Sequence, residues 1–333
     1  MKIKCIAAIC ATAIGLLSSP ASAETTLRAA TVAPMNSPWG QWAQSVADQI
    51  AEKSGGELKI EVIGDAQLGD EQTILRQGMK GRVDIVMVSN IPLSLIGQEV
   101  DVFSTPYLFD TVEQGTCVAY NHMSDILGPN LLEAGLVPLT WMEIGHYVTF
   151  SKEAPALTPD ALSGKKLRVA ATTSDEAFAR RLGAVGVPMG TSDTIPALQT
   201  GNVESAFLPG LFGIAIGTHK VAPHITVSDH ARPIGTVAIS ERSYKKLSDQ
   251  EKEWLKVFEE TGPAMSATIL GTQEALLKKV EGAGLPVVRL NDEQIAAWKA
   301  SSEGLREELV EQLGPKAVSL LEKIETAKAD CGS

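Results

Sequence analysis

Two periods run through the apolar positions of this chain. Leu27 to Val32 is an apolar-rich run that predicts a strand. It gives way to a turn rich in Pro, Asn and Ser, Ala33 to Trp39, in which Ser37 is placed to cap a helix and Pro38 to open it. From Trp39 to Ser54 the period is helical, with Trp42, Val46 and Ile50 on one face and Gly55-Gly56 as the stop. These side chains read as core. Leu58 to Val62 alternates as a strand, a loop and a helix follow to about Lys80, and Asp84 to Val88 is a buried strand. This strand–helix–strand rhythm predicts βαβ units and an open α/β sheet, whose ligands sit at the carboxyl ends of the strands. The rims to watch are Pro34 to Trp39 and Ser89-Asn90.

Further along, Leu136 to Trp141 predicts another strand, and Lys166 to Ala170 a short one that carries Arg168. A helix around Asp175 to Leu182 and a second from about Ser192 to Thr200 come next. Thr191 or Ser192 is expected to cap the second helix, Pro196 to fall near its first turn, and Gly201 to end it. Asn202 to Phe207 and Ile234 to Ser240 predict two more strands. Ser248 with Glu251 forms a capping box that opens a long helical stretch to Gly282, with a break expected near Gly262-Pro263. Asn291 with Gln294 repeats the capping pattern before C-terminal helices rich in Ala, Glu, Leu and Lys.

The N-terminus changes the picture. Lys2 and Lys4, a short apolar run from Ile6 to Leu17 and the small residues Ala21-Ser22-Ala23 read as a secretory signal peptide over residues 1–23. Its removal leaves 310 residues, enough for two domains, and changes the net charge from −11 to −13. An acidic surface argues against nucleic acid and anionic lipid, and makes one cation in a cleft attractive to an anion. Cys5 and Cys10 leave with the signal. Cys117 and Cys331 remain, and an oxidising compartment allows them to pair, though nothing in the sequence brings them together.

Catalytic signatures are sparse. No nucleophile elbow, HExxH, P-loop or EF-hand loop occurs. His219, His224 and His230 are spaced by five and six residues, neither of them the helical spacing of a metal pair. No cofactor is implied. Arg168 is the sharpest feature, because a guanidinium within a strand is costly unless paired. Either it forms an internal ion pair, or its fork of donors clamps a carboxylate.

The wording around it bears on the choice. LSGKKLRV (Leu162 to Val169), LGAVGVPM (Leu182 to Met189) and ALQTGNVESAFLP (Ala197 to Pro209) follow one another in the order and spacing of the DctP family. These are the extracytoplasmic solute-binding proteins of tripartite ATP-independent periplasmic (TRAP) transporters, and the chain resembles them over nearly its whole mature length. DAQLGDEQ (Asp65 to Gln72) and FSTPYLF (Phe103 to Phe109) resemble two further family segments. The resemblance implies a two-domain α/β fold of the periplasmic-binding-protein kind, with a ligand cleft between the domains and a long helix running across both. It places 24–145 and 234–273 in the first domain and 146–233 and 274–333 in the second. It implies a small organic carboxylate as ligand, clamped by Arg168, and handover to a small and a large integral membrane subunit. A periplasmic location, a monomer and no catalytic activity are expected with it.

Two departures from the family pattern bear on the ligand. Tyr147 stands where many relatives carry a second arginine, and Leu208, preceded by Phe207, stands where they carry an asparagine. One fixed cation then remains, so a dicarboxylate would leave its second charge poorly paired, and a monocarboxylate fits better. Tyr147 offers one hydrogen bond and a ring face. Asn36, Gln67, Glu71 and Asn90, in the rim loops, are the remaining candidate ligand contacts. A sensor feeding a membrane signalling receptor, or an enzyme using the same cleft, are the alternatives; neighbouring genes for membrane subunits would separate the first, and chemical turnover of the ligand the second.

Overall fold

The computed structural model describes residues 24–332. The expected signal peptide, 1–23, lies outside the described residues.

Eleven strands form two sheets. The first contains β1 (Thr25–Ala30), β2 (Leu58–Ile63), β3 (Ile85–Ser89), β4 (Leu136–Glu143) and β10 (Ile234–Ser240), in the order β2-β1-β3-β10-β4. The second contains β5 (Tyr147–Ser151), β6 (Lys166–Val169), β7 (Val185–Pro188), β8 (Ser205–Pro209), β9 (His224–Val227) and β11 (Val287–Arg289), in the order β11-β9-β5-β8-β6-β7. Strands β1, β2 and β3 are parallel, as βαβ units require, and β10 runs antiparallel to both β3 and β4. β10 follows β5 to β9 of the second sheet in sequence, so the chain leaves the first lobe after β4, returns to it at β10, and enters the second sheet once more at β11.

Each sheet is covered on both faces, and strand alternation sorts its residues between them. Ala30, Val86 and Val88 enter one core, while Ala29, Ile85 and Met87 enter the core on the opposite face. In the second lobe Phe207 packs with Phe178 and Trp298, whereas its neighbours Ala206 and Leu208 pack with Phe150 and Leu277. The helix Pro38–Lys53 begins as its sequence requires: Ser37 Oγ accepts from the Gly40 amide, and Trp39, Trp42, Val46 and Ile50 form its buried stripe.

A helix of 26 residues, Val257–Gly282, joins the lobes. Phe258, Met265 and Ile269 pack on the first sheet, and Leu277 and Val280 on the second. The expected break falls earlier, at Leu255-Lys256, and Pro263 is carried inside the helix. Tertiary packing on both sheets outweighs a proline cost of ~3 kcal/mol. Pro196 behaves likewise: the helix Thr191–Thr200 starts from Gly190 without a side-chain cap, so Pro196 lies in its second turn. Both capping boxes form, at Ser248/Glu251 and Asn291/Gln294.

The C-terminus departs from the expected division. The helix Leu305–Leu313 packs in the second lobe, but Pro315–Cys331 returns to the first, where Ala317, Leu320, Ile324 and Ala327 share a core with Val86 and Val118. Cys331 is bonded there to Cys117, 214 residues away in sequence. Residues 315–331 therefore pack with the first lobe, because their apolar stripe is buried against it. The sequence shows the stripe but not its partner.

Candidate functional site

Between the lobes lies a cavity of about 110 Å³. It opens where the strands of both sheets end: Thr31 and Val32 after β1, Ser89 closing β3, Ala170 and Ala171 after β6, and Pro209 closing β8 all line it. This is the crevice that parallel sheets leave at their carboxyl ends. Trp39, Met87, Ile91, Ile144, Leu208 and Phe212 give it mostly apolar walls. Gly235 makes one close approach possible, since a Cβ there would stand 2.6 Å from both Trp39 Cη2 and Ile144 Cγ2.

Arg168 lines the cavity and is 2 % exposed. Its position on β6, beside Ala206 of β8 and Val187 of β7, places the guanidinium at the cleft floor. Nη1 donates to the Phe207 carbonyl at 2.6 Å and Nη2 to the Met189 carbonyl at 2.9 Å. Nε is buried without a partner, and no carboxylate among the described residues lies within ion-pair distance of Arg168. The internal ion pair is therefore not formed. Burial pulls the pKa of Arg168 down, while Tyr147, Asp175 and Glu71 hold it up. Among the described lining residues it is the single Lys or Arg.

Tyr147 lines the same cavity, 3 % exposed, with its ring edge-on to His230. Burial raises the pKa of its hydroxyl, which stays protonated and able to donate. Glu71 reaches the cavity from the first lobe. Its Oε1 accepts from the Ser89 amide at 2.6 Å and its Oε2 from Ser89 Oγ at 2.8 Å. Burial raises its pKa, and the two bonds from Ser89 oppose the rise.

The other sequence candidates divide. Leu208 lines the cavity; Phe207 does not, since its ring packs on His230, Phe178 and Trp298. Phe207 serves Arg168 through its carbonyl instead. Asn90 is buried beside the cavity, where its Oδ1 accepts from the Ile234 amide at 2.9 Å and its Nδ2 donates to Ser104 Oγ at 3.4 Å. Asn36 and Gln67 sit on exposed loop positions outside the lining. Trp39, at the end of the rim Pro34 to Trp39, is a wall residue, and its Nε1 is buried without a partner. Its place after the first βα turn is the signal that finds it.

The histidines take separate roles. His230 is enclosed by aromatic rings, its Nδ1 paired with Ser228 Oγ at 2.8 Å, and burial pushes its pKa down to about 3. His146 pairs with Asp229 across the two chain crossings between the lobes. Among the described residues one group has metal-ligand geometry, Cys117, His122 and Cys331, and its cysteines are disulfide-bonded.

Two lobes joined by chain crossings and a shared helix, with a buried cation in a mostly apolar cleft that also carries Asp70 and Glu71, fit a solute-binding receptor. The family model for bacterial extracellular solute-binding protein, family 7 (DctP), matches residues 29–313, and the chain belongs to this family. Its members are solute-binding proteins of TRAP transporters and not enzymes. The chain is 27% identical over 315 residues to the C4-dicarboxylate-binding periplasmic protein DctP of Rhodobacter capsulatus, covering 93% of this chain and 94% of that one. It is 25% identical to the sialic acid-binding periplasmic protein SiaP of Vibrio cholerae, over 93% of this chain and 96% of the other. Its fold matches the sugar acid binding protein of Advenella mimigardefordensis in complex with galactonate, with a TM-score of 0.85 at 22% identity over 92% and 99% of the two chains. It also matches a TRAP periplasmic solute-binding protein of Sulfurospirillum deleyianum with bound succinate, TM-score 0.84, 23% identity, over 92% and 99%. No helix among the described residues is long and apolar enough to cross a membrane.

Proposed function

We propose that this protein is a periplasmic receptor that captures a small organic acid bearing one carboxylate and delivers it to the small and large membrane subunits of a TRAP transporter. The observation that carries the reading is Arg168: a buried guanidinium in the cleft, its Nε unpartnered, with no carboxylate of the described residues at ion-pair distance. A ligand carboxylate supplies the missing charge, and the guanidinium fork matches its geometry. Tyr147 adds a neutral donor. Relatives that bind galactonate, succinate and sialic acid support an organic acid as the class.

The preference for one carboxylate follows from the rest of the wall. Asp70 and Glu71 are its other charged residues, and both repel a second carboxylate. A ligand touching Arg168 in one lobe and Glu71 or Trp39 in the other has more contacts when the lobes are closed, and that difference in affinity drives closure.

A thermal-shift screen of mono- and dicarboxylates, run on the wild type and Arg168→Ala, tests this. At a hundred times its dissociation constant a ligand adds ~2.7 kcal/mol of stability. A shift by monocarboxylates in the wild type, lost in the variant, is expected. Equal shifts by dicarboxylates remove the single-charge preference; no shift by any acid removes the carboxylate reading itself.

A further inference from the structure

Behind Tyr147 lies a second, smaller cavity of about 10 Å³. It shares Ile91, Tyr147 and Pro233 with the main cavity, so the two are neighbours across those three side chains. Its polar lining comes from both lobes: Asn90 and Ser104 from the first, Tyr147 and Asp175 from the second.

Asp175 is the anomaly. It is 2 % exposed, in the first turn of the helix Thr173–Arg181. Its Oδ2 accepts from the Thr172 hydroxyl at 2.8 Å. Its Oδ1 receives no hydrogen bond from the described residues, and no cation lies within ion-pair distance of it. That oxygen is not sealed off, so beside the pocket it is an open acceptor, and such groups take a partner from water or ligand. Burial pushes the pKa of Asp175 up to about 7.

We propose that this side pocket is a subsite for a hydroxyl group of the ligand, with Asp175 as its acceptor, so that the receptor selects hydroxy acids over the corresponding unsubstituted acids. The inference rests on the carboxylate reading of Arg168. The volume admits one water-sized group, and a hydroxyl fits it. Because Ser104 and Asp175 belong to different lobes, a hydroxyl held between them also favours closure. The adjoining seam is already paired in this way, with the Thr173 amide donating to Asp101 Oδ2 at 2.7 Å and Ser174 Oγ to the Ser104 carbonyl at 2.9 Å.

The test is calorimetric titration with propionate, lactate and 3-hydroxypropionate, which share one carbon skeleton and one charge. Wild type, Asp175→Asn and Ser104→Val are compared; the last fills the pocket from the opposite lobe and serves if the first does not fold. We expect at least one hydroxy acid to bind tenfold or more tightly than propionate in the wild type, and that ratio to collapse toward one in either variant. Equal affinities in the wild type, as a resident water would give, overturn the subsite and leave the Arg168 clamp intact. An unchanged ratio in both variants overturns it also. Failure of all three acids to bind removes the carboxylate reading and the subsite with it.

Discussion

The carboxamide of Gln273 holds the backbone of His146 at both its polar groups: Nε2 donates to the His146 carbonyl at 3.1 Å, and Oε1 accepts from the His146 amide at 3.3 Å. Oε1 also accepts from the Leu211 amide at 3.3 Å. Gln273 sits in the C-terminal half of the helix that joins the lobes, and His146 lies in the first chain crossing, after Gly145 at φ +98°. The three structures that meet between the lobes are thus tied by one fully buried side chain. Gln273→Ala leaves two amides without an acceptor, and the expected loss is ~1–3 kcal/mol. A urea midpoint matching the wild type would show that other contacts carry the crossing.

Phe207 and Leu208 are adjacent but face opposite cores. Phe207→Ala should cost ~3–5 kcal/mol and Leu208→Ala ~2–5 kcal/mol, as buried truncations do. Their effects on binding should differ. Leu208→Ala widens the cleft and shifts preference toward longer acids. Phe207→Ala keeps the carbonyl that positions Arg168 and leaves the order of preference unchanged. A common change in preference would mean that strand β8 moves as a whole.

Stability should depend on pH through two buried groups of opposite sign. The carboxyl of Asp175, raised from 3.8 to about 7 by burial, holds a proton in the native state that the unfolded chain has released. Its contribution is present below pH ~4 and is lost as pH rises through ~7, with a slope of up to ~1.4 kcal/mol per pH unit. Arg168, Asp101 and Glu176 are the charges that act on it. His230, lowered from 6.5 to about 3, works the other way: its contribution is present above pH ~6.5 and fades on acidification toward ~3. Asp175→Asn removes the first dependence and keeps the second. Denaturation across this range should therefore show the variant gaining on the wild type as pH rises; parallel curves would contradict the assignment.

The Cys117–Cys331 disulfide closes a loop of most of the chain, with a separation of 214 residues. Cross-links over long loops stabilise by ~2–4 kcal/mol. It ties the last helix to Val112–Asn121 within the first lobe. Reduction, or Cys117→Ser with Cys331→Ser, should lower the melting temperature without altering the rank order of ligands. Loss of ligand binding on reduction would mean that the last helix reaches the site.

Periodicity and capping chemistry made the elements readable in advance. Ser37, Pro38, the capping boxes at Ser248 and Asn291, and the apolar runs at Leu27 to Val32 and Asp84 to Val88 are local signals whose meaning does not depend on distant residues. The arginine of the site was readable as well, because a guanidinium inside a strand is conspicuous wherever it occurs. Loop candidates were less so. Asn36 and Gln67 share a polar character with Asn90, but two of these are exposed and one is buried, and nothing local separates them.

The sequence by itself determined the class of fold, the family and Arg168, since these rest on period, spacing and one costly charge. Only the tertiary structure decided which lobe the last helix joins, that Phe207 acts through its carbonyl, that Asn90 is buried while Asn36 is not, and that Asp175 lines a pocket with one oxygen free of a donor. The physical reason is common to all four. Each depends on what stands opposite a side chain across a gap between segments far apart in sequence, and an apolar stripe or a lone carboxyl reads the same whichever surface it meets.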